Sequence, residues 1–297
     1  LRPRFWKMIF GIHRFYKEAP QTLEYALKED MSLGEFLKLN NYESGFVEDH
    51  LFPMGAAIWS SAISEIYNYP ARSFLRFFHN HGLLKIRNRP QWKTIVGGSR
   101  EYVKSLVGTL KQDVRFGGVK SIKRGEKEVF IETKDGFIES FDHVVIATHA
   151  DEAFKLLSDP DQREAVLLGS WKYSTNNAIL HGDPLMMPKR KRVWSSWNVV
   201  TDKENQNGEE VCLTYWMNKL QGIIQEKQIF VTLNPHREIQ KSDIFDEFVY
   251  THPIFDCTTL ANQKLLWSLQ GHQRTWYCGS YFGSGFHEDA LQSGLAV

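Results

Sequence analysis

The chain has 297 residues, of which 42% are hydrophobic and 24% are charged, and its formal net charge is +1. This is ordinary globular composition, enough for one large or two modest domains. A net charge near zero gives no general attraction to nucleic acid. The three cysteines include no C-x-x-C pair. The sequence therefore predicts neither a disulfide framework nor a structural zinc site, and the expected location is a reducing, cytoplasmic compartment.

Residues 1–90 are predicted to be mostly helical. Phe5 and Ile9 begin an apolar series at helical spacing, and Ser32 and Glu35 have the spacing of a capping box. No apolar run reaches the roughly 18 residues of a membrane-spanning helix, and no signal-peptide pattern is present. Because the chain opens inside one helical pattern and closes inside another, we expect it to be a fragment of a longer protein.

Residues 91–150 change from helical to strand character. An extended apolar piece passes through Gly97-Gly98 into a helix, and residues 129–133 alternate in polarity before Asp135-Gly136, a strong hairpin signal. The later run HVVIAT, residues 143–148, is continuously apolar. It is typical of a strand that is buried on both faces of a parallel sheet.

Residues 151–264 contain four strand candidates separated by polar turns, which favours an antiparallel sheet. The candidates are NNAILHG, RVWSSWNV, VCLTYWMN and QIFVTLNP. Residues 265–297 add one more strand and a closing helix.

The closing stretch TWYCGSYFGSGFHEDALQSGLAV, residues 275–297, has the order strand, glycine-rich turn, helix. A helix starting near Phe286 has unpaired amides and about half a positive charge at that end. However, Glu288 stands where a dinucleotide fingerprint has its third glycine, and with Asp289 it would repel a pyrophosphate. The loop is therefore better suited to a weakly or transiently negative group, such as the N1–C2=O edge of a reduced flavin. The alternative is an ordinary strand-to-helix turn with an acidic start.

Three segments in this order and spacing resemble the flavin-containing amine oxidoreductase superfamily. They are WKTIVGGSREYVKSL (92–106), FDHVVIATHADEAFKLL (141–157) and WYCGSYFGSGFHEDALQSG (276–294). They are most similar to its bacterial branch of predicted NAD/FAD-binding proteins, which is related to carotenoid desaturases and to the flavoprotein-like part of plant cyclopropane fatty acid synthases. The resemblance implies an FAD-binding Rossmann-like domain.

The family's G-x-G-x-x-G segment, which receives the pyrophosphate, does not occur in this chain. The resemblance therefore implies that the phosphate-binding segment precedes Leu1. It also implies that the 297 residues alone retain FAD weakly or not at all.

The family's cofactor contacts carry over by position. Val119 matches a position that faces the adenine, and Ala147 and Thr148 match the strand end beside the nucleotide half. Gly279 and Ser280 match the pair near the ribityl and phosphate groups. The remaining positions implied to contact the cofactor are Gly97, Gly98, Gly285, Phe286, His287 and Glu288, of which residues 285–287 match the backbone that approaches the flavin pyrimidine ring. Because Cys278 does not match a covalent attachment site, non-covalent FAD is expected.

Aromatic residues are the candidates for a substrate pocket. Tyr281 and Phe282 follow Gly279 directly and are expected beside the flavin, whereas Trp197 and Trp216 lie on predicted strands of the antiparallel sheet. A pocket wall and simple sheet packing are both open for the two tryptophans.

Two further patterns concern metals and membranes. His79 and His81 are two apart, so on a helix they do not share a face, and no metal site is predicted. The four cations of Lys189–Arg192 form either a solvated hairpin loop or, with the basic N-terminal stretch, a patch for anionic lipid headgroups. Peripheral membrane association is therefore a candidate property.

The predicted fold class is α/β. An incomplete FAD-binding domain, residues 91–150 and 265–297, is interleaved with an α+β substrate domain, residues 1–90 and 151–264. The expected function is an FAD-dependent oxidoreductase that takes a hydride from an apolar small molecule such as an acyl chain. The alternative is a non-catalytic flavoprotein-like module for lipid binding or scaffolding. The sequence nominates no catalytic acid or base and no oligomeric state.

Overall fold

The computed structural model describes residues 2–25, 31–110, 114–200 and 211–297. The chain forms two compact units. The first unit combines Leu1–Lys111 with Ser174–His252, and the second combines Gln112–Tyr173 with Pro253–Val297. The predicted domain boundaries after residues 90, 150 and 264 stay a prediction.

Helices and strands alternate in blocks along the chain. The α-helices are α1 Pro3–Tyr25, α2 Leu33–Leu39, α3 Ser44–Phe46, α4 Phe52–Trp59, α5 Ile63–Asn68, α6 Ala71–Asn80, α7 Arg100–Thr109, α8 Ala150–Leu156, α9 Gln162–Leu167, α10 Met217–Gln221, α11 Cys257–Gln263 and α12 His287–Leu295. The strands are β1 Val119–Arg124, β2 Val129–Thr133, β3 Ile138–Phe141, β4 Val144–Ile146, β5 Lys172–His181, β6 Trp197–Val200, β7 Cys212–Trp216, β8 Phe230–Leu233, β9 Ile244–Ile254 and β10 Thr275–Tyr277.

The helical block of the first unit begins as the sequence predicts. Ser32 Oγ accepts from the Glu35 amide at 3.2 Å, and the Ser32 amide donates to Glu35 Oε2 at 2.9 Å, so the predicted capping box opens α2. The later helices pack through aromatic side chains, with ring centroids 4.3 Å apart for Phe74 and Phe78 and 4.6 Å for Trp59 and Tyr69. Aromatic residues, at 13% of the chain, thus supply much of this core.

The sheet of the first unit has the strand order β6-β7-β8-β5-β9. All four strands predicted between residues 151 and 264 are present, and β6–β7, β7–β8 and β5–β8 pair antiparallel. The sequence did not predict β9. Its side chains are mostly exposed, so it lacks the apolar alternation of a half-buried strand.

One face of this sheet is apolar and packs against α4. The register places Leu213 opposite Leu233, and Leu233 opposite Ala178. These three side chains form a buried cluster with Ala57 of α4. The packing anchors the sheet to the helical block and fixes which side chains face α4.

The second unit holds the predicted hairpin and a short parallel pair. Strands β1, β2 and β3 form an antiparallel sheet, with Gly136 at φ 87° in the turn between β2 and β3. Strand β4 pairs parallel with β10. We expected β4 to be buried on both faces, which is wrong: Val144 and Ile146 are buried but Val145 is 52% exposed.

A buried ion network ties α9 to the strands of the second unit. The Arg124 guanidinium contacts both carboxylate oxygens of Glu164, and the Tyr277 hydroxyl donates to Glu164 Oε1 at 2.7 Å. The side chains of Arg124 and Glu164 are 1% and 0% exposed. No helix in the described parts of the chain is long and apolar enough to cross a membrane.

Candidate functional site

The carboxyl ends of β4 and β10 lie side by side in the second unit. Tyr277 is in register with Ile146, and the Cys278 amide donates to the Ile146 carbonyl at 3.1 Å. The next residues in each segment are Ala147-Thr148 and Gly279-Ser280, so the structure brings these four predicted cofactor residues together. The carboxyl edge of a parallel sheet is where open α/β folds bind their ligands.

The strand ends lead into helices that begin nearby. Helix α8 starts at Ala150 and α12 at His287. In the loop before α12, the Phe286 amide donates to Asp289 Oδ2 at 2.9 Å, and the Gly285 amide donates to the Ser280 carbonyl at 3.1 Å. These two amides are engaged within the loop. A role for Gly285 and Phe286 in cofactor binding therefore means close backbone approach rather than amide donation.

Two glycines shape the loop in ways that larger residues could not. Gly279 has φ 154°, and a Cβ there would lie 2.7 Å from Tyr281 Cε1 and 3.4 Å from the Thr148 carbonyl oxygen. Gly285 has φ 96°, and a Cβ there would meet the Phe255 ring at 3.3 Å. Both φ angles lie in the range that side chains disfavour. Both positions therefore require glycine, because neighbouring protein atoms occupy the space that a side chain would need.

Ser293 of α12 fixes the Gly279 peptide and was not predicted from the sequence. The Gly279 amide donates to Ser293 Oγ at 2.9 Å, and Ser293 Oγ lies 2.8 Å from the Ala290 carbonyl. The side chain is 3% exposed. A small polar residue on the buried side of a terminal helix was the available signal, and it is not specific.

Tyr281 is a core residue of this loop rather than an open pocket wall. It is 1% exposed, and its ring lies 5.7 Å from Trp171 and 4.9 Å from Phe282. Burial raises the pKa of its hydroxyl. Among the described residues, neither the Tyr281 hydroxyl nor the Trp171 Nε1–H has a hydrogen-bond partner. Two buried polar groups without a hydrogen-bond partner are unusual in a loop that has only a structural role.

These observations fit the FAD assignment for the second unit. The parallel strand ends bring Ala147, Thr148, Gly279 and Ser280 to one edge of the second unit. The residues that would hold the cofactor here are Ala147, Thr148, Gly279, Ser280, Gly285, Phe286, His287 and Glu288. Val119 opens β1 beside an irregularity in the β1–β2 register.

Gly97 and Gly98 lie in the first unit. Their φ angles are 84° and 89°, and they precede α7, as the predicted turn into a helix requires. The structure does not include them in the loop cluster of the second unit, so their contact with the cofactor stays a prediction.

The two tryptophans predicted for a pocket lie on opposite faces of the five-stranded sheet. Trp197 is 43% exposed and packs against Tyr215, its cross-strand partner, at 5.4 Å. Trp216 packs against Trp194 at 5.4 Å, and its Nε1–H donates to Gln228 Oε1 at 2.7 Å. Neighbours on a strand point to opposite faces, so Trp197 and Trp216 cannot line one wall together.

The surface cations differ in how they are paired. Lys189, Arg190, Lys191 and Arg192 are exposed. In α1, by contrast, Arg4 pairs with Asp49 at 2.5 Å and Lys7 pairs with Glu43 at 3.2 Å.

Within the described ranges, no group of three or more His, Cys, Asp or Glu residues could hold a metal ion.

Comparisons with known proteins identify relatives at the level of family and fold. The family model for flavin containing amine oxidoreductases matches residues 12–251. No curated protein matches the chain in sequence. All the solved structures compared below share less than 25% sequence identity with the chain, so they show its fold.

The structural matches extend over nearly the whole chain. A CLA-producing fatty acid isomerase from P. acnes has a TM-score of 0.65 at 14% identity, over 98% of this chain and 73% of its own. Putrescine oxidase bound to putrescine has a TM-score of 0.65 at 10% identity, over 100% and 75%. A putative protoporphyrinogen oxidase from an Exiguobacterium species has a TM-score of 0.63 at 12% identity, over 94% and 70%.

Proposed function

The chain belongs to the flavin-containing amine oxidoreductase family and is an FAD-dependent oxidoreductase, and we propose that its substrate is an apolar molecule that carries an acyl chain. Bound FAD supplies the hydride-accepting chemistry. The family membership favours this enzyme over the non-catalytic lipid-binding or scaffold module. The chain's own contribution is to bind the cofactor, to orient the substrate and to exclude water.

The observation that carries the substrate proposal is Trp197, an aromatic side chain that is 43% exposed on the edge strand of the five-stranded sheet. Trp197 is in register with Tyr215, and Tyr215 and Val199 pack against the buried cluster that contains Leu213 and Leu233. Burial raises the pKa of Tyr215 to about 12, which moves its ionisation further above physiological pH. A half-exposed aromatic and aliphatic surface suits a hydrocarbon better than a charged amine. A fatty acid isomerase among the fold relatives supports the same class.

Anaerobic reduction of the flavin tests this proposal. Protein expressed from the complete gene, with bound FAD, is mixed with oleate or with putrescine, and the visible band of oxidised flavin is followed. We expect oleate to bleach the band and putrescine to leave it unchanged. Bleaching by putrescine alone would contradict the acyl proposal, and a folded product that binds no flavin would contradict the cofactor assignment.

A lipid surface is the proposed source of such a substrate. Beside the exposed cations of Lys189–Arg192 lie Leu185 and Val193, which are 65% and 53% exposed. Each cation near an anionic membrane contributes about 1 kcal/mol. We expect the protein to sediment with anionic vesicles and not with neutral ones, and replacement of the four cations by serine to abolish the difference.

A further inference from the structure

The first unit contains a cavity between α4, the start of α5 and the sheet. Its volume is about 210 Å³, which is room for about seven water-sized groups. Its apolar part consists of Leu213, Leu233, Val211, Ala56 and Ala62, and the polar rest includes Ser61 and Glu65. All the residues that line the cavity belong to the first unit. A short aliphatic body with a polar head fits this combination, whereas a long acyl chain is too large.

Two hydroxyl groups of the cavity wall already donate their protons to backbone carbonyls. Ser61 Oγ donates to the Trp59 carbonyl at 3.3 Å, and Ser174 Oγ lies 3.4 Å from the Ser60 and His252 carbonyls. Ser61 and Ser174 therefore present their hydroxyl oxygens to the cavity as acceptors.

The amide side chains of the wall are committed in the same way. Asn176 Nδ2 contacts Ser174 Oγ at 3.3 Å and His252 Nδ1 at 3.0 Å, and Asn234 Nδ2 donates to Asn176 Oδ1 at 2.9 Å. Asn176 is 3% exposed, which holds this network in place. The Asn176 amide group is therefore held by its neighbours on both its oxygen and its nitrogen.

Glu65 gives the cavity a negative charge. Its Oε2 accepts from the Ala62 amide at 2.9 Å, which anchors the carboxylate at the start of α5. No hydrogen bond from the described residues reaches its Oε1. Of the twelve described residues that line the cavity, none is a Lys, Arg or His. An anionic ligand would therefore meet a carboxylate without any compensating cation.

We propose that this cavity binds a small ligand with a donor-rich, non-anionic head, which is either an ammonium group or a pair of hydroxyls, on a short aliphatic body. The head is placed at Glu65 and the hydroxyl oxygens of Ser61 and Ser174, and the body contacts Leu213 and Leu233. This inference stands apart from the flavin assignment, because the residues that carry it are not among the cofactor residues.

Methyl NMR of the full 297-residue chain tests the inference with three probes of similar size: butylammonium, 1,2-butanediol and butyrate. We expect the leucine methyl signals of Leu213 and Leu233 to shift with butylammonium or butanediol, and Leu75, buried in α6, to stay unchanged. Butyrate should bind at least about tenfold more weakly, because it repels Glu65. Shifts with butylammonium alone identify an ammonium ligand, and shifts with butanediol alone identify a hydroxyl ligand. Equal binding of butyrate, or no shift with any probe, overturns the proposal.

A matched pair of variants isolates the carboxylate. Glu65→Gln keeps an acceptor for the Ala62 amide but removes the charge, and it should weaken the better-bound donor probe about tenfold. Glu35→Gln makes the same change in the capping box of α2, outside the cavity, and should leave the affinity unchanged. Equal affinity in the wild type and Glu65→Gln, or an equal loss in both variants, would refute the role of Glu65. Because these readouts need no flavin, a failure here is distinguishable from a failure of the flavin assignment.

Discussion

At the scale of single residues, the buried charges of the second unit are the most sensitive positions. Arg124 and Glu164 pair without access to water, and Tyr277 donates to the same carboxylate. The Arg124 guanidinium and the hydrogen bonds to Glu164 hold the pKa of that carboxyl below its usual value even though burial opposes them. Removal of one partner from such a pair leaves the other as an uncompensated charge.

We predict that Arg124→Met lowers the free energy of unfolding by about 3 kcal/mol or more, because Glu164 would remain buried without its cation. Urea unfolding followed by circular dichroism measures the change. Arg115→Met is the control, since Arg115 pairs with Glu139 at 2.5 Å but is 67% exposed, and it should cost at most about 1 kcal/mol. Similar losses in the two variants would show that burial does not set the cost.

His181 predicts a pH dependence in the first unit. Its side chain is fully buried, Nδ1 accepts from the Asp183 amide at 3.1 Å, and Nε2 lies 2.7 Å from Thr232 Oγ1. Burial lowers its pKa below the ordinary value of 6.5. Below about pH 6.5 the unfolded chain therefore binds a proton that the folded chain does not, so stability must fall as the pH falls.

The measurement compares wild type with His181→Gln by urea unfolding at about pH 8 and about pH 5. The variant should lose stability through broken hydrogen bonds at both values, but it should show a smaller further loss between them. An undiminished pH-dependent loss in His181→Gln would mean that other groups, such as the half-buried His50 whose pKa is also lowered, account for it.

At the scale of elements, the strand–loop–helix from β10 to α12 is built around positions that exclude side chains. We predict that Gly279→Ala destabilises the protein by about 1–3 kcal/mol and lowers its flavin content, because φ 154° and the Tyr281 ring both oppose a Cβ. Gly294→Ala is the matched control within α12. A Cβ there meets nothing within 4 Å, so the change should be neutral or stabilising by about 0.5–1 kcal/mol.

Thermal unfolding and the ratio of flavin to protein absorbance measure both variants. If Gly279→Ala retains full stability and full flavin content, the Gly279 turn is an ordinary loop rather than a cofactor contact.

Local patterns predicted much of this architecture, and long-range packing accounts for what they missed. The capping box at Ser32, the hairpin at Asp135-Gly136 and four strands of the large sheet depend on neighbouring residues, and all were predicted. Strand β9 was missed because exposed strands lack alternation. The burial of Trp171 against Tyr281 could not be predicted, because the two residues are more than a hundred positions apart in the sequence. Likewise, only the register between β6 and β7 shows that Trp197 and Trp216 face opposite sides.

At the scale of the whole molecule, each compact unit is assembled from two separate stretches of the chain. The five-stranded sheet takes all its strands from the part of the chain between residues 172 and 254. In the second unit, β4 pairs with β10, which follows it by more than a hundred residues in the sequence. Long-range pairing of this kind makes each unit depend on both of its segments. A ligand that binds within one unit should therefore protect that unit's own backbone first.

Hydrogen exchange with and without FAD tests this expectation on protein from the complete gene. At a free FAD concentration of about 100 times Kd, exchange in the liganded unit should slow by up to about 100-fold. We expect slowing at residues 146–150 and 278–289, where the parallel strands end and α8 and α12 begin. The β7–β8 ladder around Leu213 and Leu233 is the internal control and should change little. Protection confined to that ladder would place the cofactor elsewhere and would refute the assignment of Gly279, Ser280 and Gly285.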